Sequence, residues 1–208
     1  MRYTHIALDV DGTIIDTRDT FTYSLSKCIR DLRGEEVSPA DLVKYFGVTS
    51  MGTIEMLKFE DARGALDLWE KYYCELYPEK SRVFDGMDGV MRRLSAAGVT
   101  LGLVTSRNHE EIDRDPNLAR WNDILKIKVS SEDTANPKPA ADPALEFVRQ
   151  AGVPASQCLY IGDTMYDALC AKNAGVAFGL ADWDGIAEAG IPADFHFRNP
   201  VEILDLFL

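Results

Sequence analysis

The chain has 208 residues, with 22 Lys and Arg against 34 Asp and Glu, a formal net charge of −12. So acidic a surface repels nucleic acid and anionic membranes, and no run of Lys or Arg supplies a local basic patch. With 46% apolar and 27% charged residues the chain suits one large globular domain or a core domain with a smaller one, and no apolar stretch approaches the ~18 residues of a membrane span.

In chain order, Ile6-Ala7-Leu8-Asp9-Val10-Asp11-Gly12-Thr13 comes first. It reads as a short buried strand that gives way to two carboxylates, with Gly12 able to turn the chain at positive φ. Side chains two apart share one side of an ideal strand, so Asp9 and Asp11 are expected together. The nearest basic residues in sequence are His5, Arg2 and Arg18, none an obvious counter-charge. Close carboxylates need a proton, a cation or another partner. A metal or phosphoryl site is one reading and a solvated Asx-type turn the other.

From Asp19 to about Tyr77 only helices are expected. Residues 17–33 carry Phe21, Leu25, Cys28, Ile29 and Leu32 at helical spacing, Ser38-Pro39 starts a second helix, and 62–76 places Leu66, Trp69, Tyr73 and Leu76 on one face. Pro78 and Glu79-Lys80-Ser81-Arg82 read as a linker back to the first domain. The remainder alternates helices at 86–97, 117–125, 141–151, 165–174 and 200–208 with strands at 100–104, 126–129, 158–161 and 176–180. That alternation predicts an α/β fold, a Rossmann-like parallel sheet with helices on both faces and its ligand beyond the carboxyl ends of the strands. The core domain is expected over 1–16 and 83–208, with an inserted α-helical domain over 17–82. The four cysteines are far apart and form no C-x-x-C pair, and the chain starts directly on the first strand without a signal-like leader; reduced thiols and a cytoplasmic location are expected.

Parallel strands bring their carboxyl ends to one rim. There the sequence puts Asp9 and Asp11, then Thr105-Ser106, then Asn136-Pro137-Lys138-Pro139 with prolines restricting the lysine's backbone, then Gly162-Asp163-Thr164 with Asp167 one turn into the next helix. Singly, Thr105, Ser106 and Asp163 suit helix caps and Lys138 a loop. Together, each after an apolar strand, they compose a site for phosphoryl chemistry.

The pieces D-V-D-G-T (9–13), V-T-S (104–106), Lys138 in N-P-K-P and G-D-T-x-x-D (162–167) resemble the motifs of the haloacid dehalogenase superfamily of phosphohydrolases. The helical block before Gly86 is similar to that superfamily's small cap, which closes over the site. The resemblance implies that Asp9 is the nucleophile, forming an aspartyl-phosphate, and that Asp11 is first acid and then base. It implies Mg²⁺ held by Asp9, the Asp11 main-chain carbonyl and Asp163, with Asp167 ligating directly or through water. Lys138, the Thr105 hydroxyl and the Ser106 amide would bind the phosphoryl oxygens.

A small organic phosphate monoester, phosphoglycolate foremost, is the substrate so implied, for a monomer or homodimer with no nucleic-acid or membrane partner. Asp11 favours phosphoryl transfer over dehalogenation. Lys44 and Lys58 lie in the cap without a mark of Schiff-base chemistry, and the loop 46–52 lacks the arginine of sugar phosphomutases. Lys44, Thr49 and Ser50 are candidate substrate contacts. The alternatives are a phosphomutase acting on a sugar phosphate and, in another class, a non-catalytic phospho-receiver domain. The helical insertion of roughly 65 residues speaks against the receiver, since compact domains seldom carry such a segment idly.

Overall fold

The computed structural model describes residues 3–207 other than Asp184, Ile186 and Glu188. In chain order its strands are β1 (His5–Leu8), β2 (Ile15–Asp16), β3 (Arg82–Val83), β4 (Thr100–Val104), β5 (Leu125–Val129), β6 (Cys158–Gly162), β7 (Ala177–Ala181) and β8 (Phe195–Phe197). The α-helices are α1 (Arg18–Arg33), α2 (Pro39–Leu42), α3 (Ser50–Leu57), α4 (Ala62–Lys80), α5 (Met87–Ala96), α6 (His109–Asp113), α7 (Asp142–Ala151) and α8 (Met165–Ala174). The chain divides into two compact units, Met1–Ile15 with Val83–Leu208, and Asp16–Arg82.

The first unit holds a six-stranded sheet in the order β5-β4-β1-β6-β7-β8, and every pairing in it is parallel. Leu8 of β1 is opposite Leu103 on one side and Ile161 on the other, so the ends of the central strands are level. Alternation along each strand sorts its side chains between two faces. Leu159 and Ile161 join Ile6, Leu8, Leu101 and Leu103 in one core, while Cys158 and Tyr160 join Ile127, Val129 and Phe178 in the other. Helix α5 buries Met87, Val90, Met91 and Leu94, a 3–4 spacing that lays one stripe on the first face. Helices α7 and α8 cover the second with Phe147, Ala168 and Ala171. This is the α/β, Rossmann-like parallel sheet that the strand–helix alternation predicts.

Several elements depart from the sequence reading. The first strand stops at Leu8 rather than Val10, because the chain turns there around the Val10 carbonyl. The expected helix over 117–125 is a 3-10 turn, Leu118–Trp121, since Leu125 is already drawn into β5. The last helix is likewise 3-10, Pro200–Leu206, and Leu208 lies outside the described residues. Strand β8 was not expected; three residues around an exposed His196 give too little alternation to read.

In the second unit, α1 and α4 share a core of Phe21, Leu25, Cys28, Ile29, Leu66 and Trp69. Phe21 meets the Trp69 ring edge-on at 5.2 Å, and Trp69 Nε1 donates to Ser24 Oγ at 2.9 Å. Leu32 is exposed instead of joining that stripe. Helix α4 runs on through Pro78 to Lys80, where a linker was expected. Proline forfeits one bond, on a turn where Cys74 and Pro78 are exposed, while Tyr77 stays buried and its carbonyl accepts the Ser81 amide at 2.9 Å. Of the residues proposed for substrate contact, Thr49 caps α3 by accepting the Gly52 amide at 3.1 Å. The Lys44 ammonium lies 5.2 Å from the Tyr45 ring centroid. No helix among the described residues is long and apolar enough to cross a membrane, and all four cysteines are free thiols.

Candidate active site

After β1 the chain makes a compact turn. The Asp9 amide donates to Ile161 O at 2.9 Å, a last rung of the sheet, and the Val10 carbonyl then accepts the amides of Thr13, Ile14 and Ile15 at 3.3, 2.9 and 3.0 Å. Gly12 has φ +82°, and a Cβ built on it would lie 2.2 Å from Asp163 Oδ2. The Asp163 carboxylate thus rests directly on the bare Gly12 backbone, a conformation and an approach that only glycine allows. Thr13 Oγ1 donates to its other oxygen at 3.1 Å.

The turn separates Asp9 from Asp11, contrary to the period-two expectation. Asp9 is buried, and its Oδ1 accepts from Lys138 Nζ at 2.7 Å. The same ammonium donates to Asp167 Oδ1, also at 2.7 Å. Lys138 reaches both from a pinned loop. Ala140 N donates to Pro137 O at 3.0 Å, Asn136 Nδ2 to Asp142 Oδ1 at 2.9 Å, and Asn173 Nδ2 to Pro139 O at 3.0 Å. The Lys138–Pro139 peptide is cis.

Asp167 is the third residue of α8 and closes a capping box with Thr164. Its Oδ2 accepts the Thr164 amide at 3.1 Å and hydroxyl at 2.5 Å. Its Oδ1 takes the Tyr160 hydroxyl at 2.8 Å besides Lys138. Four donors therefore surround one carboxylate. One oxygen each from Asp9, Asp163 and Asp167 lie within 4.8 Å of one another, all three residues buried.

Burial and charge set the protonation of this group. Burial pushes the Asp9 carboxyl up to about 7; Lys138 pulls against that, while Asp167 and Asp11 add to it. Burial alone would also raise Asp167, but the Lys138 charge and the bonds from Lys138, Thr164 and Tyr160 hold it below the ordinary carboxylate value. Burial acts to lower the Lys138 ammonium, and Asp167 and Asp9 outweigh it, raising it above the usual lysine value. One fixed cation thus serves two carboxylates unequally, and Asp9 is the one left short of positive charge.

Asp11 points elsewhere. Its two oxygens accept Arg107 Nη2 at 2.7 Å and Nε at 2.8 Å, a two-pronged ion pair. Arg107 stands two residues beyond Thr105, whose Oγ1 accepts the Arg107 amide at 3.2 Å. Thr105 is buried and Ser106 half-buried at the end of β4. The structure therefore gathers Asp9, Asp163, Asp167 and Lys138, sets Thr105 and Ser106 on the neighbouring strand end, and turns the Asp11 side chain away from the acidic cluster. Sequence reasoning missed Arg107 and Tyr160. A basic residue directly after the Thr-Ser pair was the available sign of the first, and a hydroxyl inside an otherwise apolar strand that of the second.

The family model for haloacid dehalogenase-like hydrolases matches residues 6–181. Similar proteins include a "putative pyrophosphatase PpaX" of Clostridium perfringens, 26% identical, the match covering 97% of this chain and 95% of that one. A phosphoglycolate phosphatase of Aquifex aeolicus is 24% identical over 97% and 95% of the two chains. Among solved structures, a "putative phosphoglycolate phosphatase" from Lactobacillus plantarum superposes with a TM-score of 0.86 at 25% identity, covering 100% of both chains.

Proposed function

The chain belongs to the haloacid dehalogenase-like hydrolase family, and from that premise we propose that it is a phosphatase acting on a small organic phosphate monoester through an aspartyl-phosphate on Asp9. One observation carries the reading. Two aspartates two residues apart occupy opposite settings, Asp9 buried against Lys138 and Asp11 half-buried against Arg107. The two carboxylates thus have separate partners, as two separate roles require, and a cation held by the acidic trio would keep Asp9 ionised as the nucleophile.

In the proposed reaction an Asp9 oxygen attacks phosphorus, and the bond from phosphorus to the ester oxygen breaks. Asp11 gives that oxygen its proton and afterwards takes one from the water that attacks the phospho-aspartate, releasing phosphate. Lys138 orients Asp9 and, with the Thr105 hydroxyl and Ser106 amide, offsets charge on the phosphoryl oxygens.

The buried acidic trio fits a hard divalent cation by the chemistry of its donors, carboxylate oxygens close together with a single ammonium among them. Asp167 already accepts four donors. Asp9, Asp163 and the Asp11 main-chain carbonyl are therefore the direct ligands in this reading, with Asp167 orienting from behind. Bound there, Mg²⁺ supplies charge neutralisation at the phosphoryl oxygens.

A pH dependence follows. The Asp9 value of about 7 lies above its ordinary 3.8, so the folded state holds an extra proton between those values. The stability gained is complete below about pH 4 and lost as pH rises through about 7. A cation competes with that proton. Mg²⁺ is thus expected to raise the thermal midpoint more at about pH 8 than at about pH 5.5, read as the difference with and without the ion. An equal shift at both values would count against Asp9 as a ligand.

Phosphoglycolate is the first substrate reading, supported by the likeness to the phosphoglycolate phosphatase of Aquifex aeolicus. Pyrophosphate is the second substrate reading, supported by the likeness to the protein named for pyrophosphatase activity across nearly the whole chain. Phosphate release from a panel of phosphorylated metabolites and pyrophosphate, each with and without Mg²⁺, tests both. Mg²⁺-dependent release from monoesters is the expected result; no release from any compound would end the proposal. Conversion of a sugar monophosphate to its isomer would point to the mutase, and a long-lived adduct from acetyl phosphate to the receiver.

A further inference from the structure

Arg107 has no part in the chemistry above, yet it is held more firmly than a surface arginine. Its third guanidinium nitrogen, Nη1, donates to Asp115 Oδ2 at 2.5 Å. Exposure of the Arg107 side chain is 10% and that of Asp115 2%. The other Asp115 oxygen accepts the amides of Asn117 and Leu118 at 2.7 and 3.2 Å, which locks it to the chain after α6. The Arg107 backbone is tied at both ends, its amide to Thr105 Oγ1 at 3.2 Å and its carbonyl to the Ser131 amide at 2.9 Å.

A planar guanidinium fixed this way has one orientation to offer. Two parallel bonds from it set both the position and the plane of the carboxylate they meet. Asp11 follows the strand on a turn, 23% exposed, and needs such a restraint to aim its oxygens. We propose that Arg107 is a positioning residue for Asp11, anchored by Asp115, and that the fork rather than the charge alone holds the ionised Asp11 carboxylate, the form that takes the proton from the attacking water. The inference rests on the function proposed above and assigns no contact between Arg107 and substrate.

The test is a double-mutant cycle on turnover of p-nitrophenyl phosphate with saturating Mg²⁺, using Arg107→Lys, Asp11→Asn and the pair together. Lysine keeps a positive charge beside Asp115 and removes the fork; thermal unfolding of the variant is measured alongside its turnover. Asp11→Asn should lower kcat by about 10²–10⁴-fold, the usual share of a general acid–base group. Arg107→Lys should lower kcat about tenfold or more with KM changed only a few-fold, and the double variant should be no slower than Asp11→Asn within about threefold.

Losses that multiply in the double variant would show that Arg107 acts apart from Asp11 and overturn the inference. A rise in KM in both backgrounds would make it a substrate contact and overturn it equally. Should Arg107→Lys melt much earlier than the parent, Asp115→Asn serves as the second variant with the same expected coupling to Asp11. No phosphate release by the unmodified protein would overturn both this inference and the function beneath it, whereas normal release with multiplying losses removes this inference alone.

Discussion

Asp9→Asn should lose turnover by on the order of 10⁴-fold or more while the protein stays folded. The amide matches the carboxylate in size but cannot attack phosphorus, so no covalent intermediate forms. Folding tolerates the change because Lys138 keeps its 2.7 Å bond to Asp167. The replaced carboxylate is one whose burial already pushes its pKa to about 7, so its removal relieves desolvation as well as ending an ion pair. Phosphate release and thermal unfolding, measured side by side, check both halves. Activity within a hundredfold of the parent (about 10²) would remove Asp9 from the nucleophile's role.

Lys138→Met should harm both activity and stability. It strips the ammonium from between two buried carboxylates, Asp9 and Asp167. Breaking a buried ion pair from one side costs about 3–5 kcal/mol because the partner is left charged and dry. Asp9 can escape part of that cost by taking up a proton, since the pull that opposed burial is gone. The destabilisation should therefore be larger at about pH 8 than at about pH 6, where the proton is readily available. Turnover falls at neutral pH because a protonated Asp9 is no nucleophile, by roughly 10²-fold or more. Denaturant unfolding of parent and variant at the two pH values is the measurement, and a penalty that shrinks as pH rises would contradict the assignment.

The parallel sheet was legible because its strands are short apolar runs bounded by glycines and helices, a pattern that burial on both faces demands. The rim was legible for the same reason: once strands are parallel, whatever follows them gathers at one end, and Asp9, Lys138, Asp163 and Asp167 all follow strands. Elements set by packing rather than local pattern were not. Helix α4 continues through Pro78 because Tyr77 is buried and the capping bond from Ser81 closes it, neither visible in a proline and a polar run. The partners of the two aspartates were hidden too. Their counter-charges, Lys138 and Arg107, stand 129 and 96 positions away along the chain, so inspection of neighbouring residues found none. The divergence of Asp9 from Asp11 depends on a turn around one carbonyl, which strand periodicity has no means to foresee.

Gly12 and Asp163, 151 positions apart, occupy what is nearly a single volume. Mass added at the first has to be taken from the second, so neither can drift alone: a methyl group at position 12 and a full-length acid at position 163 exclude each other. For anyone reshaping this scaffold the two behave as one locus with a shared allowance of space. Enlarging the turn to bind something new means surrendering the acid first.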